Sequence, residues 1–294
     1  MKKRLLSLFL AVCVICSFAS AVCASATVGG SPATSTDPDT IDPSVYADMF
    51  SPENPAHPYA PNPFEIQPNW SSTGISTHQF ITNNAITIVK NAYPSYPLNT
   101  YSATLKVYSD YPDNSESGQT DNGSFSGHFY NPDTGLTWTD PLNPGIASPS
   151  YSANAQDRLI WWYNDAVSKY KSGKTVDAMH SLGCALHYTA DLSEPHHASN
   201  QIALLSSHFT YETWAKNNQN NYITTSTSSS TFSWAKRTSI GDMGHNFAVN
   251  AKEWATEANI YSKFPIATQN TLPKAQRNCA AVLYKFLVDV GKLN

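Results

Sequence analysis

Apolar residues recur every three to four positions over several stretches of the chain, and each such stretch predicts an amphipathic helix. The predicted helices start at Thr77 and then cover 159–170, 176–192, 208–217, about 247–258 and 273–290. Thr77 suits an N-cap, Gly173 a C-terminal cap of the second helix, and Pro273 the first turn of the last helix. Because no strands alternate with these helices, we predict an all-α chain that forms a single compact multi-helix domain with long loops.

Two regions lack helical periodicity. Residues 92–152 are rich in Pro, Asn, Asp, Gly, Ser and Tyr, and residues 218–234 are rich in Asn, Ser and Thr. The second composition is typical of an exposed loop. A structureless stretch as long as the first is uncommon in a compact domain unless it has a function. Its polar residues are therefore candidates for a site.

The N-terminus has the pattern of a secretory signal peptide. Three basic residues follow Met1, the run from Leu5 to Ala21 is almost wholly apolar, and Ala24 to Ala26 offers a small-residue cleavage site. We therefore expect residues 1–26 to be removed and the mature protein to be secreted and extracellular, with no transmembrane segment.

The segment that follows differs in composition from the rest of the chain. Residues 27–69 hold nine of the 19 prolines, six acidic residues and no Lys or Arg. Such a segment is too poor in periodic apolar residues to build a core, which favours a propeptide or acidic linker. The folded domain is then expected to cover residues 70–294.

Charge is nearly balanced in residues 70–294, with 15 Lys plus Arg against 16 Asp plus Glu. This balance offers no electrostatic basis for holding a polyanion, so no nucleic acid partner is expected. The same part of the chain has two cysteines, Cys184 and Cys279. An oxidising compartment permits a disulfide between them, but two buried thiols fit the sequence equally well.

The stretch 187–200 concentrates potential metal ligands. His187 and Asp191 are four residues apart, which places them one turn from each other on one face of a helix. Pro195 then ends that helix, because its ring constrains φ and removes a hydrogen-bond donor. His197 follows on the redirected chain and can turn toward a second ion.

A second pair with the same spacing, His208 and Glu212, lies just downstream. A single histidine is usually a hydrogen-bonded structural residue. Two such pairs within 26 residues instead favour a site for divalent ions. Imidazole and carboxylate together suit zinc.

The stretch 187–200 resembles the signature of the bacterial zinc-dependent phospholipases C, a family that includes the catalytic domains of clostridial-type alpha-toxins. The resemblance runs from about Trp70 to the C-terminus and departs from the family at Ala190, where Gly or Thr is usual. It implies an all-α zinc enzyme with three ions per chain. The metal ligands carried over by the resemblance are Trp70, His78, Asp110, His128, His187, Asp191, His197, His208 and Glu212.

The resemblance also divides these ligands among the three ions. One ion would be held by Trp70, His78 and Asp191, a second by Asp110, His128, His187 and Asp191, and a third by His197, His208 and Glu212. Trp70 would bind through its free amino group and carbonyl, so cleavage before it should complete the site, since an amide nitrogen does not bind zinc as an amine does. His180 and His245 are interpreted as structural.

The resemblance implies a phospholipase C that acts at a membrane or vesicle surface, as a monomer. It would hydrolyse the glycerol-side phosphodiester bond of phospholipids such as phosphatidylcholine, giving diacylglycerol and a phosphorylated headgroup. Clustered zinc ions neutralise a phosphodiester and generate hydroxide at neutral pH, which then attacks phosphorus. Asp110 is the expected general base or water-orienting group.

Three aromatic residues match positions that line the family's substrate pocket: Tyr111, Phe125 and Phe129. A stacked aromatic ring suits a quaternary ammonium such as choline through cation–π attraction. Packing within the loop is the alternative interpretation of the same three residues.

Two other functions stay open. Fungal and plant single-strand nucleases have a similar three-zinc helical scaffold, although they usually have Asp where Glu212 stands, and an assay on single-stranded DNA distinguishes them. A secreted zinc-binding or adhesive protein without turnover would suit the Ser- and Thr-rich segment. The presence of every predicted ligand, including the shared Asp191, argues against this second alternative.

Overall fold

Long amphipathic helices frame the computed structural model, which describes residues 76–113, 126–137 and 153–293. The α-helices of these segments are α1 (Thr77–Ala92), α2 (Ser102–Tyr108), α3 (Ala155–Lys171), α4 (Thr175–Asp191), α5 (His208–Asn218), α6 (Ser229–Arg237), α7 (Ile240–Lys252) and α8 (Phe264–Asp289). Short 3₁₀ turns join them. The described residues form no strand beyond an isolated antiparallel bridge between Asn131 and Leu136. The all-α prediction is confirmed.

Helix α4 lies at the centre of the packing. It contacts α1, α2, α3 and α8, and from Ser181 to Asp191 every side chain on it is buried. A helix that is covered on all sides has no solvent-facing stripe for its polar residues. The polar residues in its last two turns must therefore find partners inside the protein.

The helix starts follow local capping chemistry. The hydroxyl of Ser76 accepts a hydrogen bond from the backbone N–H of Gln79 at 3.0 Å, so the cap of α1 is Ser76 and not Thr77. Asn154 and Asp157 form a reciprocal capping box at the start of α3. Each of these bonds satisfies a backbone donor that the first helical turn leaves unpaired.

The last helix is longer than its sequence suggests. The prediction that α8 opens at Pro273 is wrong, because the helix begins at Phe264 with Pro265 in its first turn and continues through Pro273. An interior proline costs about 3 kcal/mol. Buried side chains on both sides, among them Leu272 and Ala275, offset this cost by packing against the core.

Two regions predicted as loops contain helices. Residues 218–234 include a 3₁₀ turn and most of α6, whose cap is Ser228 and whose buried residues are Phe232 and Ala235. Helix α2 lies within 92–152 and buries Leu105. Both helices are too short and carry too few apolar residues to give a periodic signal. Within the described segments, no helix is long and apolar enough to cross a membrane.

Candidate metal centre

The C-terminal turn of α4 brings His187 and Asp191 together, as their spacing predicts. His187 Nε2 lies 3.1 Å from Asp191 Oδ2, and His128 Nδ1 lies 2.9 Å from the same oxygen. The other carboxylate oxygen, Asp191 Oδ1, is 3.6 Å from Nε2 of His78 on α1. The Asp191 carboxylate therefore lies between three imidazoles from different parts of the chain.

A second carboxylate, Asp113, joins this group from the 3₁₀ turn after α2. Its oxygens lie 3.6 Å from His78 Nε2, 3.7 Å from His128 Nδ1 and 3.6 Å from His187 Nε2. Both oxygens are buried and accept no hydrogen bond from the described residues. A buried carboxylate in this state needs a cation or a proton.

A third group lies beside the first two and combines His197, His208, Glu212 and Glu194. Glu212 Oε1 is 2.8 Å from His208 Nε2 and 3.3 Å from His197 Nε2. All four residues are buried. Glu194 is not among the ligands expected from the sequence, although it lies within the ligand-rich stretch 187–200.

Backbone carbonyls orient two of the imidazoles. Nδ1 of His187 donates to the carbonyl oxygen of Ser109 at 2.8 Å, and Nδ1 of His197 donates to that of His128 at 2.7 Å. Each bond fixes the ring so that Nε2 faces the carboxylates. This arrangement is the usual support for a histidine that binds a metal ion.

Burial and neighbouring charges perturb the protonation of the centre in opposite directions. Burial opposes protonation of His187, but Asp191 and Asp113 outweigh it and raise the pKa to about 9. Burial likewise disfavours protonated His197, whereas Asp191 and the bond to Glu212 raise its pKa to about 10. For His128 burial prevails and lowers the pKa to about 4. Protons on His187 and His197 thus balance the negative charge of the carboxylates, which a bound cation would otherwise balance.

The donor atoms fit zinc. Zinc binds nitrogen and oxygen at about 2.0–2.2 Å in a tetrahedral arrangement, so two ligands of one ion are about 3.3–3.6 Å apart. The oxygens of Asp113 and Asp191 lie within this range, or close to it, of several imidazole nitrogens. Imidazoles and carboxylates together are the donor set that zinc prefers.

The structure does not bring Asp110 into these groups. Its carboxylate accepts hydrogen bonds from the hydroxyl of Ser76 and, at 2.5 Å, from the side chain of Gln79. Asp110 thus joins the start of α1 to the end of α2. Asp113, three residues later, is the acid that faces the histidines.

The aromatic residues expected to line the substrate pocket lie in different surroundings. Tyr111 is partly exposed, and its ring is tilted by 45° to that of Tyr108, with centroids 5.4 Å apart. Phe129 is buried, and its ring stacks on His197 with centroids 4.7 Å apart and planes 8° apart. Phe129 is therefore placed to support the imidazole of His197 rather than to line a headgroup pocket. Trp70 and Phe125 lie outside the described residues.

The remaining candidates have structural partners. His180 stacks on Tyr108, and His245 Nδ1 lies 2.9 Å from the hydroxyl of Tyr130. Cys184 and Cys279 are free, buried thiols. Burial raises the pKa of both thiols.

The all-α fold and the buried groups of histidines and carboxylates define a helical protein with a candidate metal centre. The family model described as "Zinc dependent phospholipase C" matches residues 77–261. The chain belongs to this family, as its resemblance predicts. Family membership also supports zinc as the metal of the centre.

Known proteins of this kind are similar to the chain over most of its length. The phospholipase C of Bacillus cereus is 30% identical over 208 residues, which cover 65% of this chain and 68% of that protein. The phospholipase C of Paraclostridium bifermentans is 25% identical over 245 residues, which cover 75% of this chain but only 61% of that protein. The solved alpha toxin from Clostridium absonum has a TM-score of 0.66 at 22% identity, covering 74% of this chain and 65% of that chain.

Proposed function

We propose that the protein is a secreted zinc-dependent phospholipase C that hydrolyses the glycerol-side phosphodiester bond of phospholipids to diacylglycerol and a phosphorylated headgroup. The observation that carries the proposal is the three adjoining groups of buried metal donors, two of which share His187, in a chain of this family. Phospholipases C are also what the similar proteins are named. No feature of the described residues favours the nuclease or the non-catalytic alternative.

Three zinc ions are proposed, with one change to the ligand set. Asp113 replaces Asp110, because its oxygens face three imidazoles while those of Asp110 are occupied by Ser76 and Gln79. The ligands proposed for the three ions are then Trp70, His78, Asp113, His128, His187, Asp191, His197, His208 and Glu212. Asp191 is proposed to be shared between two ions, since its two oxygens face different histidines.

Zinc, when bound, polarises a phosphodiester and lowers the pKa of water at the site. The protein's own residues hold and orient the donors in a dry environment. Asp113 is the proposed group that orients the attacking water, since it is the carboxylate of the centre that accepts no hydrogen bond from the described residues. Asp110, which Ser76 and Gln79 hold, is not the proposed general base.

The main test is release of phosphorylated headgroup from phosphatidylcholine vesicles by protein that begins at Trp70, with and without a chelator. Asp113→Asn should hold one ion fewer and lose at least about 100-fold of the activity, beyond the 10–100-fold typical of residues that only support ligands. Asp110→Asn is the matched control and should keep its zinc content.

The outcomes separate the alternatives. Zinc-restorable activity that is lost in Asp113→Asn and retained in Asp110→Asn supports the proposal. Activity that is lost in Asp110→Asn and retained in Asp113→Asn would instead restore the original assignment of Asp110. A zinc-loaded protein that releases nothing from any phospholipid, but cleaves single-stranded DNA, would make the protein a nuclease.

Maturation is a separate part of the proposal. Residues 1–26 are proposed to be a signal peptide and residues 27–69 a propeptide, whose removal frees the amino group of Trp70 for zinc. N-terminal sequencing of the active secreted protein should begin at Trp70. A fully active form that begins elsewhere contradicts this part and leaves the phospholipase proposal intact.

A choline-like headgroup is proposed to meet Tyr111, whose ring is partly exposed close to Asp113 in the chain, together with Phe125. Cation–π attraction to such rings favours a quaternary ammonium. Turnover on choline, ethanolamine and inositol headgroups tests this preference. Equal rates on all three would show that no aromatic pocket selects the headgroup.

A further inference from the structure

The segment that joins His197 to His208 carries an exposed apolar side chain. This segment forms a short 3₁₀ turn, Ala203–Leu205, and Leu205 is 71% exposed. The backbone N–H of Leu205 donates to the carbonyl of Ile202 at 3.1 Å. An ordered turn between two residues of the metal centre therefore holds a leucine in solvent.

Two more exposed apolar residues reach this turn from a distant part of the chain. Ser207 bonds twice to Asn259, through its backbone N–H to Oδ1 at 2.9 Å and through its hydroxyl to the carbonyl oxygen at 3.1 Å. Ile260 and Tyr261 follow Asn259 and are 40% and 68% exposed. Asn259 and Leu205 line the same recess of about 390 Å³. We call the four apolar residues of these two adjoining segments the apolar rim: Ile202, Leu205, Ile260 and Tyr261.

The apolar rim lies in sequence that is poor in charge. No Asp, Glu, Lys or Arg occurs in 198–211 or in 258–262, although 14% of the whole chain is charged. The residues that flank the second segment, Glu257 and Lys263, lie 3.7 Å apart as an ion pair. Such a surface loses little charge hydration when it enters an apolar medium. Tyrosine also suits a lipid–water boundary, because its ring is apolar and its hydroxyl is polar.

We propose that the apolar rim docks the protein on the phospholipid layer that contains its substrate, with Leu205 and Tyr261 entering the layer. Clustered exposed apolar residues are typical of surfaces that bind a protein or a membrane. The rim shares its segment with His197 and His208, so docking there presents the metal centre to the headgroups. This inference rests on the proposed function and names the surface through which the enzyme meets its lipid.

Two forms of the same substrate test the inference. Leu205→Ser and Tyr261→Ser remove apolar surface without adding charge. For each variant, the ratio of hydrolysis of phosphatidylcholine vesicles to hydrolysis of dissolved, monomeric dihexanoyl phosphatidylcholine should fall about tenfold, and for the double variant about 100-fold, since separate contacts add in free energy.

Val176→Ser is the matched control, because it removes a valine that is 54% exposed in the first turn of α4. Val176 is fifteen residues before Asp191, or about 22 Å along the helix. This variant should keep the ratio of the unchanged protein. A fall as large as that of Leu205→Ser would show that any exposed apolar residue has this effect and would overturn the inference.

Binding is measured separately from turnover by cosedimentation with phosphatidylcholine vesicles. The measurement uses Asp113→Asn, whose slow turnover should leave the vesicles intact, and adding Leu205→Ser to it should reduce the bound fraction. An unchanged bound fraction, or equal losses on vesicles and on monomeric lipid, would overturn the inference. A dimer in sedimentation that Leu205→Ser dissociates would assign the rim to a second copy of the chain instead. Unchanged protein that hydrolyses neither substrate would contradict the proposed function, whereas cosedimentation would still test the rim.

Discussion

Helices α2 and α4 are in close contact at Gly183, and this contact positions two parts of the metal centre. A methyl group at position 183 would lie 2.5 Å from Cβ of Tyr108 and 3.1 Å from the carbonyl oxygen of Leu105. Carbon atoms in contact are normally about 3.5–4.0 Å apart. Gly183→Ala therefore requires α2 to move by about 1 Å, because the obstructing atoms belong to its backbone or lie next to it.

The displacement reaches the metal donors through the end of α2. The carbonyl of Ser109 accepts the hydrogen bond from His187 at 2.8 Å, and Asp113 follows four residues later. Helix propensity alone would stabilise the alanine variant by about 1 kcal/mol. Overpacking costs about 1–3 kcal/mol, which leaves a net loss of up to about 2 kcal/mol. At about 2–4 °C per kcal/mol for a domain of this size, Tm should decrease by up to about 8 °C.

Zinc binding should weaken by about 10–100-fold in Gly183→Ala, the usual effect of disturbing residues that orient ligands. Thermal unfolding of the chelated and zinc-loaded protein, with a zinc titration, measures both effects. Gly244→Ala is the control, because its methyl would meet the side-chain ends of Leu159 and Leu192 at 3.1 and 3.2 Å, which can move. A Gly183→Ala protein with raised Tm and unchanged zinc affinity would refute the reasoning.

Three further predictions concern the same centre and core. Metal-free protein should lose stability, on the order of a few kcal/mol, between pH 6.5 and about 9–10. The pKa values of His187 and His197 are raised in the folded protein. Their protonated forms therefore stabilise the fold fully below pH 6.5, and this stabilisation is lost as the pH rises through the two raised pKa values. With zinc bound, denaturant unfolding should show no such loss. Phe129→Leu, which removes the stack on His197, should lower zinc affinity by up to about tenfold in a zinc titration, whereas Tyr111→Ala should raise only KM for choline lipids. Iodoacetamide at pH 8 should label neither Cys184 nor Cys279 in the folded protein, and mass spectrometry that finds rapid native labelling would contradict their burial.

The sequence by itself determined the helical class and the local parts of the metal centre. The spacing of His187 to Asp191 and of His208 to Glu212 places each pair on one helical turn, and the structure has both pairs in contact. Such pairs follow from the helical repeat, which needs no information about the rest of the fold. Helices with long periodic apolar stripes, such as α3 and α4, were predictable for the same reason.

Only the tertiary structure decided which acid of the loop after α2 faces the histidines. Asp110 and Asp113 are three residues apart in the same loop, and the choice depends on Ser76 and Gln79, which are more than 30 residues away in sequence and hold Asp110. The same holds for Phe129 against His197, and for Glu194 beside His208. These contacts join residues far apart in sequence, so local periodicity carries no information about them, and they form only when the loops pack onto α4.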